Sequence, residues 1–108
     1  MKMNIEGKIA LVTGGGRDIG KEISKTFAAE GVLVAINYNK SSLEAENTAK
    51  EIISNGGKAK IYKADITSYK EVTTMINQIK HDLGTIDFLI NNAGYTKIQK
   101  FVESTPLD

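Results

Sequence analysis

Hydrophobic positions along the chain alternate between short apolar segments and longer stretches with helical spacing. Short apolar or alternating segments bounded by glycine and polar residues are typical of strands. Four such segments are predicted as strands, over residues 9–12, 32–36, 59–64 and 86–90.

Three helices are predicted between these strands, because apolar residues there recur every three or four positions. The expected buried faces carry Ile19, Ile23 and Phe27 in the first helix, Ala45, Ala49, Ile52 and Ile53 in the second, and Val72, Met75, Ile76, Ile79 and Leu83 in the third. Glycine, a common helix terminator, follows each pattern at Gly31, Gly56–Gly57 and Gly84. Ser41 with Glu44 and Ser68 with Glu71 predict a capping box at the start of the second and third helices.

The resulting order, β-α-β-α-β-α-β, predicts an α/β fold. Short apolar strands alternating with helices favour a parallel sheet covered on both faces, and right-handed crossovers favour the Rossmann-type doubly wound arrangement. Residues 1–108 are expected to form a single dinucleotide-binding domain. Thr105 and Pro106 form a helix start signal with only two residues behind it. This pattern favours a domain truncated at its C-terminal end; the alternative is a frayed tail.

Composition narrows the function classes. The chain has 108 residues, 41% of them hydrophobic, and 14 Lys and Arg against 13 Asp and Glu. A net charge of +1 argues against an electrostatic nucleic-acid binder. The sequence has no apolar run long enough to span a membrane and no secretory signal at its start, so a cytoplasmic protein is expected. Without cysteine and with a single histidine, His81, no metal site is expected.

A glycine-rich turn, Gly14-Gly15-Gly16 with Gly20 behind it, joins the first strand to the first helix. Backbone N–H groups and a helix N-terminus converge there, which favours a bound phosphate. Gly15, Gly20 and Lys21 fit part of a P-loop, but Glu22 stands where a Ser or Thr is needed for Mg²⁺. The common fingerprint G-x-G-x-x-G also fails, because Ile19 occupies its third glycine position.

A third pattern fits better. Thr13-Gly14-x-x-x-Asp18-x-Gly20 resembles the T-G-x-x-x-G-x-G turn of the short-chain dehydrogenases/reductases. Asn91-Asn92-Ala93-Gly94 matches the N-N-A-G motif of that family, and Asp65 matches its adenine-site aspartate. The resemblance runs from about residue 5 to residue 108. Residues 6–14 and 86–94 look especially like the 3-oxoacyl-[acyl-carrier-protein] reductase branch.

The resemblance implies roles for individual residues. Gly14, Arg17 and Ile19 would line the phosphates and the adenosine ribose; Asp65 would accept from the adenine amino group, and Ile66 would pack on the ring. Asn91, Ala93 and Gly94 would lie along the nicotinamide ribose, with Asn91 also bracing the central strands. The full set assigned to the cofactor is Gly14, Gly16, Arg17, Asp18, Ile19, Gly20, Asn37, Tyr38, Asn39, Ala64, Asp65, Ile66, Asn91, Ala93 and Gly94.

Asp18 departs from the pattern, since the family has glycine at this position. A carboxylate facing a pyrophosphate would repel it, so the Asp18 side chain is expected to face solvent or cap the helix.

The resemblance further implies hydride transfer between nicotinamide and a carbonyl or alcohol substrate, with a 3-oxoacyl thioester as the leading class, and a homo-oligomer, commonly a tetramer. The family's proton donor is the Tyr of a Y-x-x-x-K motif with a Ser upstream. The residues four positions after Tyr38, Tyr62, Tyr69 and Tyr95 are Ser42, Ile66, Thr73 and Gln99, so no catalytic residue is assigned.

Tyr95, Thr96 and Phe101 are candidates for substrate contact. The alternatives are a nucleotide-sensing module of the same fold and a flavodoxin-like signalling domain with Asp65 as phosphoacceptor.

Cofactor choice is predicted as NADP. Proteins of this fold that prefer NAD place an acid near the end of the second strand to bind the ribose 2′-hydroxyl. No acid occurs between Glu30 and Glu44. Arg17 and Lys40 are expected near the 2′-phosphate, and a guanidinium suits phosphate oxygens.

Overall fold

A computed structural model describes residues 4–92 and shows four parallel strands alternating with three helices. The elements are β1 (Ile9–Val12), α1 (Asp18–Ala29), β2 (Leu33–Tyr38), α2 (Ser42–Ser54), β3 (Lys58–Lys63), α3 (Tyr69–Asp82) and β4 (Phe88–Ile90). The predicted element order and fold class are confirmed. β2 and β4 begin later than predicted, β2 by one residue and β4 by two, while β3 begins one residue earlier.

The strands lie in the order β3-β2-β1-β4. The chain moves outward from β1 through β2 to β3, then crosses back to place β4 on the other side of β1. In the register, Leu11 of β1 pairs with Ala35 of β2 and with Leu89 of β4. The carboxyl ends of β1 and β4 therefore adjoin where the strand order reverses, which is where open α/β sheets bind ligands.

Alternate residues of β1 supply two separate cores, because successive side chains of a strand point to opposite faces. Ile9 and Leu11 pack with the α3 residues Val72, Met75 and Ile79. Ala10 and Val12 pack on the opposite face, in a core completed by residues of α1 and α2: Ala28, Ala45, Ala49 and Ile52. Helices thus cover both faces of the sheet, as a doubly wound fold requires.

The predicted buried face of α1 is confirmed in part: Ile23 and Phe27 pack against the core, and Ile19 does not. Gly20, Ser24 and Ala28 face the sheet, whereas Ile19 is 70% exposed and Ile23 and Phe27 are half-buried. Small residues bring α1 close to the sheet, and the larger Ile23 and Phe27 fill the edge of the same core, where Phe27 stacks on Phe88 of β4. Ile53 in α2 was also assigned to the buried face and is 56% exposed.

The two predicted capping boxes differ in outcome. Ser68 Oγ accepts a hydrogen bond from the N–H of Glu71, so the cap of α3 forms, although the Glu71 carboxylate turns to the N–H of Asp65. Ser41 is the N-cap of α2 but makes no side-chain cap, so that capping box is wrong. Ser41 Oγ instead accepts from Arg17.

A polar cluster fastens α3 to the edge strand β3. Asp82 accepts hydrogen bonds from the Tyr62 hydroxyl at 2.9 Å and from Gln78, and it pairs with Lys60 Nζ at 2.9 Å. The Lys60 ammonium and these donors hold the pKa of the Asp82 carboxyl below its usual range. Burial, together with the nearby carboxylate, raises the pKa of Tyr62. His81 is solvent-exposed, as predicted.

Within residues 4–92, no helix is long and apolar enough to cross a membrane. The same part of the chain contains no group of three or more acidic or histidine side chains placed to hold a metal ion.

Candidate functional site

The glycine turn after β1 is tied to the ends of both neighbouring strands. The N–H of Gly15 donates to the Asn37 carbonyl at the end of β2, at 3.2 Å. On the other side, Thr13 Oγ1 donates to Asn91 Oδ1 at 3.2 Å, and Asn92 Nδ2 donates to the Gly14 carbonyl at 3.3 Å. Asn91 therefore braces β1 against β4, as predicted, and the turn is held at the point where the strand order reverses.

Two glycines of this turn are required by its shape. Gly14 has a φ of +61°, a left-handed conformation that favours glycine. A Cβ on Gly20 would overlap the carbonyl oxygen of Gly14 and approach Asn92 Nδ2 to 2.8 Å. Gly20 thus lets the first turn of α1 lie directly against the loop that precedes it.

Asp18 also adopts a left-handed conformation, with a φ of +51°. Its side chain is 78% exposed and its Oδ2 lies 3.2 Å from Arg17 Nε. Of the two orientations expected for this carboxylate, the structure shows the solvent-facing one, and α1 has no side-chain cap. Glycine has no Cβ and adopts this conformation without strain, which is a physical reason for the glycine at this position in the family pattern.

Asp18→Gly is expected to stabilise the fold by about 0.5–1 kcal/mol, because it removes the Cβ from a left-handed residue at some cost in unfolded-chain entropy. Its effect on nucleotide affinity is expected to stay below about 1 kcal/mol, as for a surface charge at a helix end. Urea unfolding and calorimetric titration with NADPH measure the two effects. Asp18→Ala, which removes the charge but keeps the Cβ, should not reproduce the stabilisation. A tenfold gain in affinity for Asp18→Gly would place the carboxylate against the phosphates instead.

A cleft of about 380 Å³ opens beside the glycine turn. The glycine turn meets the end of β2 and the residues that follow it there, and the cleft is lined by Gly14, Gly16, Arg17, Asn37, Tyr38, Asn39, Lys40 and Ser41. Lys40 and Asn39 are exposed at its rim. The lining combines backbone groups, two cations and a hydroxyl, a donor set that suits phosphate oxygens.

Arg17 lines this cleft and contacts the N-terminal end of α2. Its Nη1 donates to Ser41 Oγ at 3.3 Å, and its Nε lies 3.7 Å from Glu44 Oε2 and 3.2 Å from Asp18 Oδ2. The Arg17 side chain is 54% exposed and the Glu44 side chain 53%. Glu44 was interpreted from the sequence as a capping residue, so its proximity to Arg17 was not anticipated.

Two of the assigned residues have buried side chains. Asn37 is 2% exposed, and its Nδ2 donates to the carbonyls of Ala64 and Tyr62, at 3.2 and 3.4 Å. Ala64 is fully buried in the α3 core. At these positions only backbone atoms can line the cleft; the Asn37 side chain joins the ends of β2 and β3.

Asp65 directs one carboxylate oxygen into a local turn. Its Oδ1 accepts from the N–H of Thr67 at 2.9 Å and from the Thr67 hydroxyl at 2.7 Å. These hydrogen bonds, with a smaller contribution from the charge of Lys40, hold the pKa of the Asp65 carboxyl below its usual range. Ile66 packs partly against the α3 core. Asp65 is thus an oriented, ionised acceptor after β3 at the same edge of the sheet as the glycine turn.

Several predicted positions lie outside the described residues. These are Ala93 and Gly94 of the N-N-A-G motif, the substrate candidates Tyr95, Thr96 and Phe101, and the helix start signal at Thr105 and Pro106. The remaining assigned residues gather at the carboxyl edge of the sheet, except that the Ile19 side chain lines an apolar groove on the flank of α1 with Ile23 and Phe27.

Comparison with known proteins identifies the family. The family model described as short chain dehydrogenase matches residues 8–108. The chain belongs to the short-chain dehydrogenase/reductase family. Members of this family are oxidoreductases that bind a nicotinamide cofactor, so the flavodoxin-like alternative is excluded.

Individual relatives differ in how much of their length the chain covers. It is 46% identical over 95 residues to the short-chain dehydrogenase/reductase homolog YusS of Bacillus subtilis, covering 88% of this chain and 87% of YusS. It is 40% identical to a 3-oxoacyl-[acyl-carrier-protein] reductase of Synechocystis, covering 86% of this chain but 38% of that reductase. The chain therefore spans little more than a third of the reductase.

Solved structures of the family superpose well on the described fold. A short chain dehydrogenase from Burkholderia cenocepacia in complex with NADP matches with a TM-score of 0.79 and 39% identity, over 86% of this chain and 38% of that one. An oxidoreductase from Haemophilus influenza with bound NAD also matches with a TM-score of 0.79, at 36% identity, over 85% of this chain and 32% of that one. Both cofactors thus occur among proteins of this similarity.

Proposed function

We propose that this chain is the dinucleotide-binding part of an NADP(H)-dependent reductase of the short-chain type, with residues 1–108 belonging to one domain. The observation that carries the proposal is the cleft beside the glycine turn, where Arg17, Lys40 and Ser41 surround the place expected for the adenosine ribose. The protein would transfer hydride between nicotinamide and a carbonyl or alcohol carbon. A 3-oxoacyl thioester is the proposed substrate class, supported by the 40% identity to a 3-oxoacyl-[acyl-carrier-protein] reductase.

The residues present fit a dinucleotide. Gly14, with its left-handed φ, leaves its face of the turn without a Cβ, and α1 begins directly behind it, so a diphosphate can approach backbone N–H groups. Asp65 would accept from the adenine amino group, and Asn91, directly after β4, would lie along the nicotinamide ribose. The bound cofactor would supply the hydride; these residues bind and orient it.

NADP(H) is favoured over NAD(H) by the charges around the cleft. The end of β2 and the residues that follow it, from Asn37 to Ser41, contain no acid to accept from a ribose 2′-hydroxyl. Arg17 and Lys40 instead supply two cations, and Ser41 a neutral donor, for a 2′-phosphate.

Arg17→Ala is expected to weaken NADPH binding by roughly tenfold or more while changing NADH binding little, because a charge-assisted hydrogen bond to phosphate is lost. Dissociation constants of both nucleotides, from fluorescence titration, test this. Lys50→Ala is the matched control, since Lys50 is an exposed cation on α2 outside the cleft. Equal affinity of the unaltered protein for NADPH and NADH would overturn the proposed cofactor choice. The same holds if Arg17→Ala leaves the ratio of the two dissociation constants unchanged.

A second function is a nucleotide-binding module without turnover. It is the alternative left open by the sequence, since the same fold can bind a nucleotide without catalysing a reaction. Nucleotide binding by the chain agrees with both functions; a Ser followed by Tyr-x-x-x-Lys in sequence encoded downstream of Asp108 would decide for the enzyme. A homo-oligomer and a cytoplasmic location stay predictions from the family resemblance and composition.

A further inference from the structure

Arg17, the cation on which the proposed NADP(H) preference depends, is already engaged by two carboxylates. Asp18 Oδ2 lies 3.2 Å from its Nε, and Glu44 Oε2 lies 3.7 Å from the same nitrogen. A guanidinium paired in this way offers less positive charge to an incoming phosphate. At least one of these contacts must break before the guanidinium can donate two hydrogen bonds to a 2′-phosphate.

The two carboxylates differ in what holds them near Arg17. Asp18 is its sequence neighbour, so their contact follows from the local backbone. Glu44 comes from the first turn of α2, next to Ser41, whose Oγ accepts from Arg17 Nη1 at 3.3 Å. Ser41 lines the cleft itself. Glu44 and Ser41 therefore hold the guanidinium against the start of α2.

α2 itself packs closely on the glycine turn. Thr48 Oγ1 donates to the Gly16 carbonyl at 2.7 Å, and a Cβ on Gly16 would lie 2.6 Å from Ala45 Cα.

We propose, building on the NADP(H) preference above, that Glu44 is a specificity-determining positioning residue: it competes with the 2′-phosphate for Arg17 and so lowers the discrimination between the two nucleotides. Glu44 acts through Arg17, not by contact with the reacting atoms. Removing its charge should strengthen binding of a nucleotide that carries a 2′-phosphate and leave one without it unchanged.

The experiment uses adenosine 2′,5′-bisphosphate and 5′-AMP, which differ only in the 2′-phosphate and occupy only the adenosine side of the site. Binding to the 108-residue chain is followed by NMR chemical-shift titration, which measures weak affinities. Glu44→Gln is expected to raise the affinity for the bisphosphate roughly 1.5- to 5-fold, the range for an exposed ion pair. Its affinity for 5′-AMP should not change.

Two further variants isolate the role of Arg17. Glu46→Gln removes the same charge from α2 at an exposed position whose side chain makes no ion pair within residues 4–92, and it should bind as the unaltered chain does. In an Arg17→Ala background, Glu44→Gln should no longer raise the affinity. A gain that persists without Arg17 would show direct repulsion of the phosphate by Glu44 and overturn the competition.

The outcomes separate this inference from the proposed function. If the unaltered chain prefers the bisphosphate and Arg17→Ala abolishes the preference, but Glu44→Gln binds unchanged, only the role of Glu44 is wrong. If the unaltered chain binds both nucleotides equally or binds neither, the NADP(H) preference fails and the role of Glu44 with it. Circular dichroism of each variant confirms that the fold is retained.

Discussion

Gly20→Ala is expected to destabilise the fold by about 2–3 kcal/mol, although alanine is a better helix former than glycine by about 1 kcal/mol. The added Cβ would overlap the Gly14 carbonyl oxygen, a backbone atom that cannot rotate away. It would also press on Asn92 Nδ2, which donates to that same carbonyl. The first turn of α1 must therefore move away from the glycine turn, and the place for the diphosphate moves with it.

Urea unfolding followed by circular dichroism measures the loss of stability, and titration with NADPH measures the accompanying loss of binding. Glu22→Ala is the control, an exposed position two residues further along α1, where a change within about 0.5 kcal/mol is expected. If Gly20→Ala were as stable as the unaltered chain, the close approach of α1 to Gly14 would be wrong.

The sheet and the order of its elements could be predicted because the pattern of apolar positions along the chain distinguishes strands from helices. A run such as Ile9 to Val12 is apolar at every position, and the structure shows why: Ile9 and Leu11 face one core while Ala10 and Val12 face the other. A strand covered by helices on both faces has no solvent-exposed face, so its sequence shows no alternation of apolar and polar residues. The strand pattern therefore already implied helices on both faces.

The face of α1 could be predicted only in part from hydrophobicity. Ile23 and Phe27 of the apolar stripe do pack against the core, but Ile19 is exposed, and the fully buried positions are Gly20, Ser24 and Ala28. Close packing favours small residues there, and Ser24 satisfies its hydroxyl by donating to the carbonyls of Gly15 and Gly20. A scale that ranks side chains by apolar area alone therefore misses the small residues that come closest to the sheet.

The candidate site was predictable where backbone shape decides it and not where side chains compete. The glycine turn follows from spacing, since Gly14 and Gly20 are required by conformation and contact. Glu44 satisfies the capping-box pattern equally well whether its carboxylate turns inward to α2 or outward to Arg17. Only the position of the glycine turn across from α2 decides between the two, and that is set by long-range packing.

The 108-residue chain by itself is expected to show no reductase activity, the largest effect predicted for this protein. The family's reaction needs a Tyr to deliver a proton to the substrate oxygen as hydride reaches the carbon, with a Lys four residues on to lower the pKa of that Tyr. None of the four tyrosines has that partner. Tyr62, whose hydroxyl donates to Asp82 at the end of α3, is buried and has a raised pKa, the reverse of what a proton donor near neutral pH requires.

A steady-state assay that follows NADPH absorbance with a 3-oxoacyl thioester tests this expectation, using protein whose mass confirms its length. The same sample must bind NADPH, because a chain that binds the cofactor and still gives no turnover separates missing chemistry from failed folding. Turnover above the background without protein would contradict the prediction. It would mean that a proton donor other than a Tyr-x-x-x-Lys pair completes the reaction within these 108 residues.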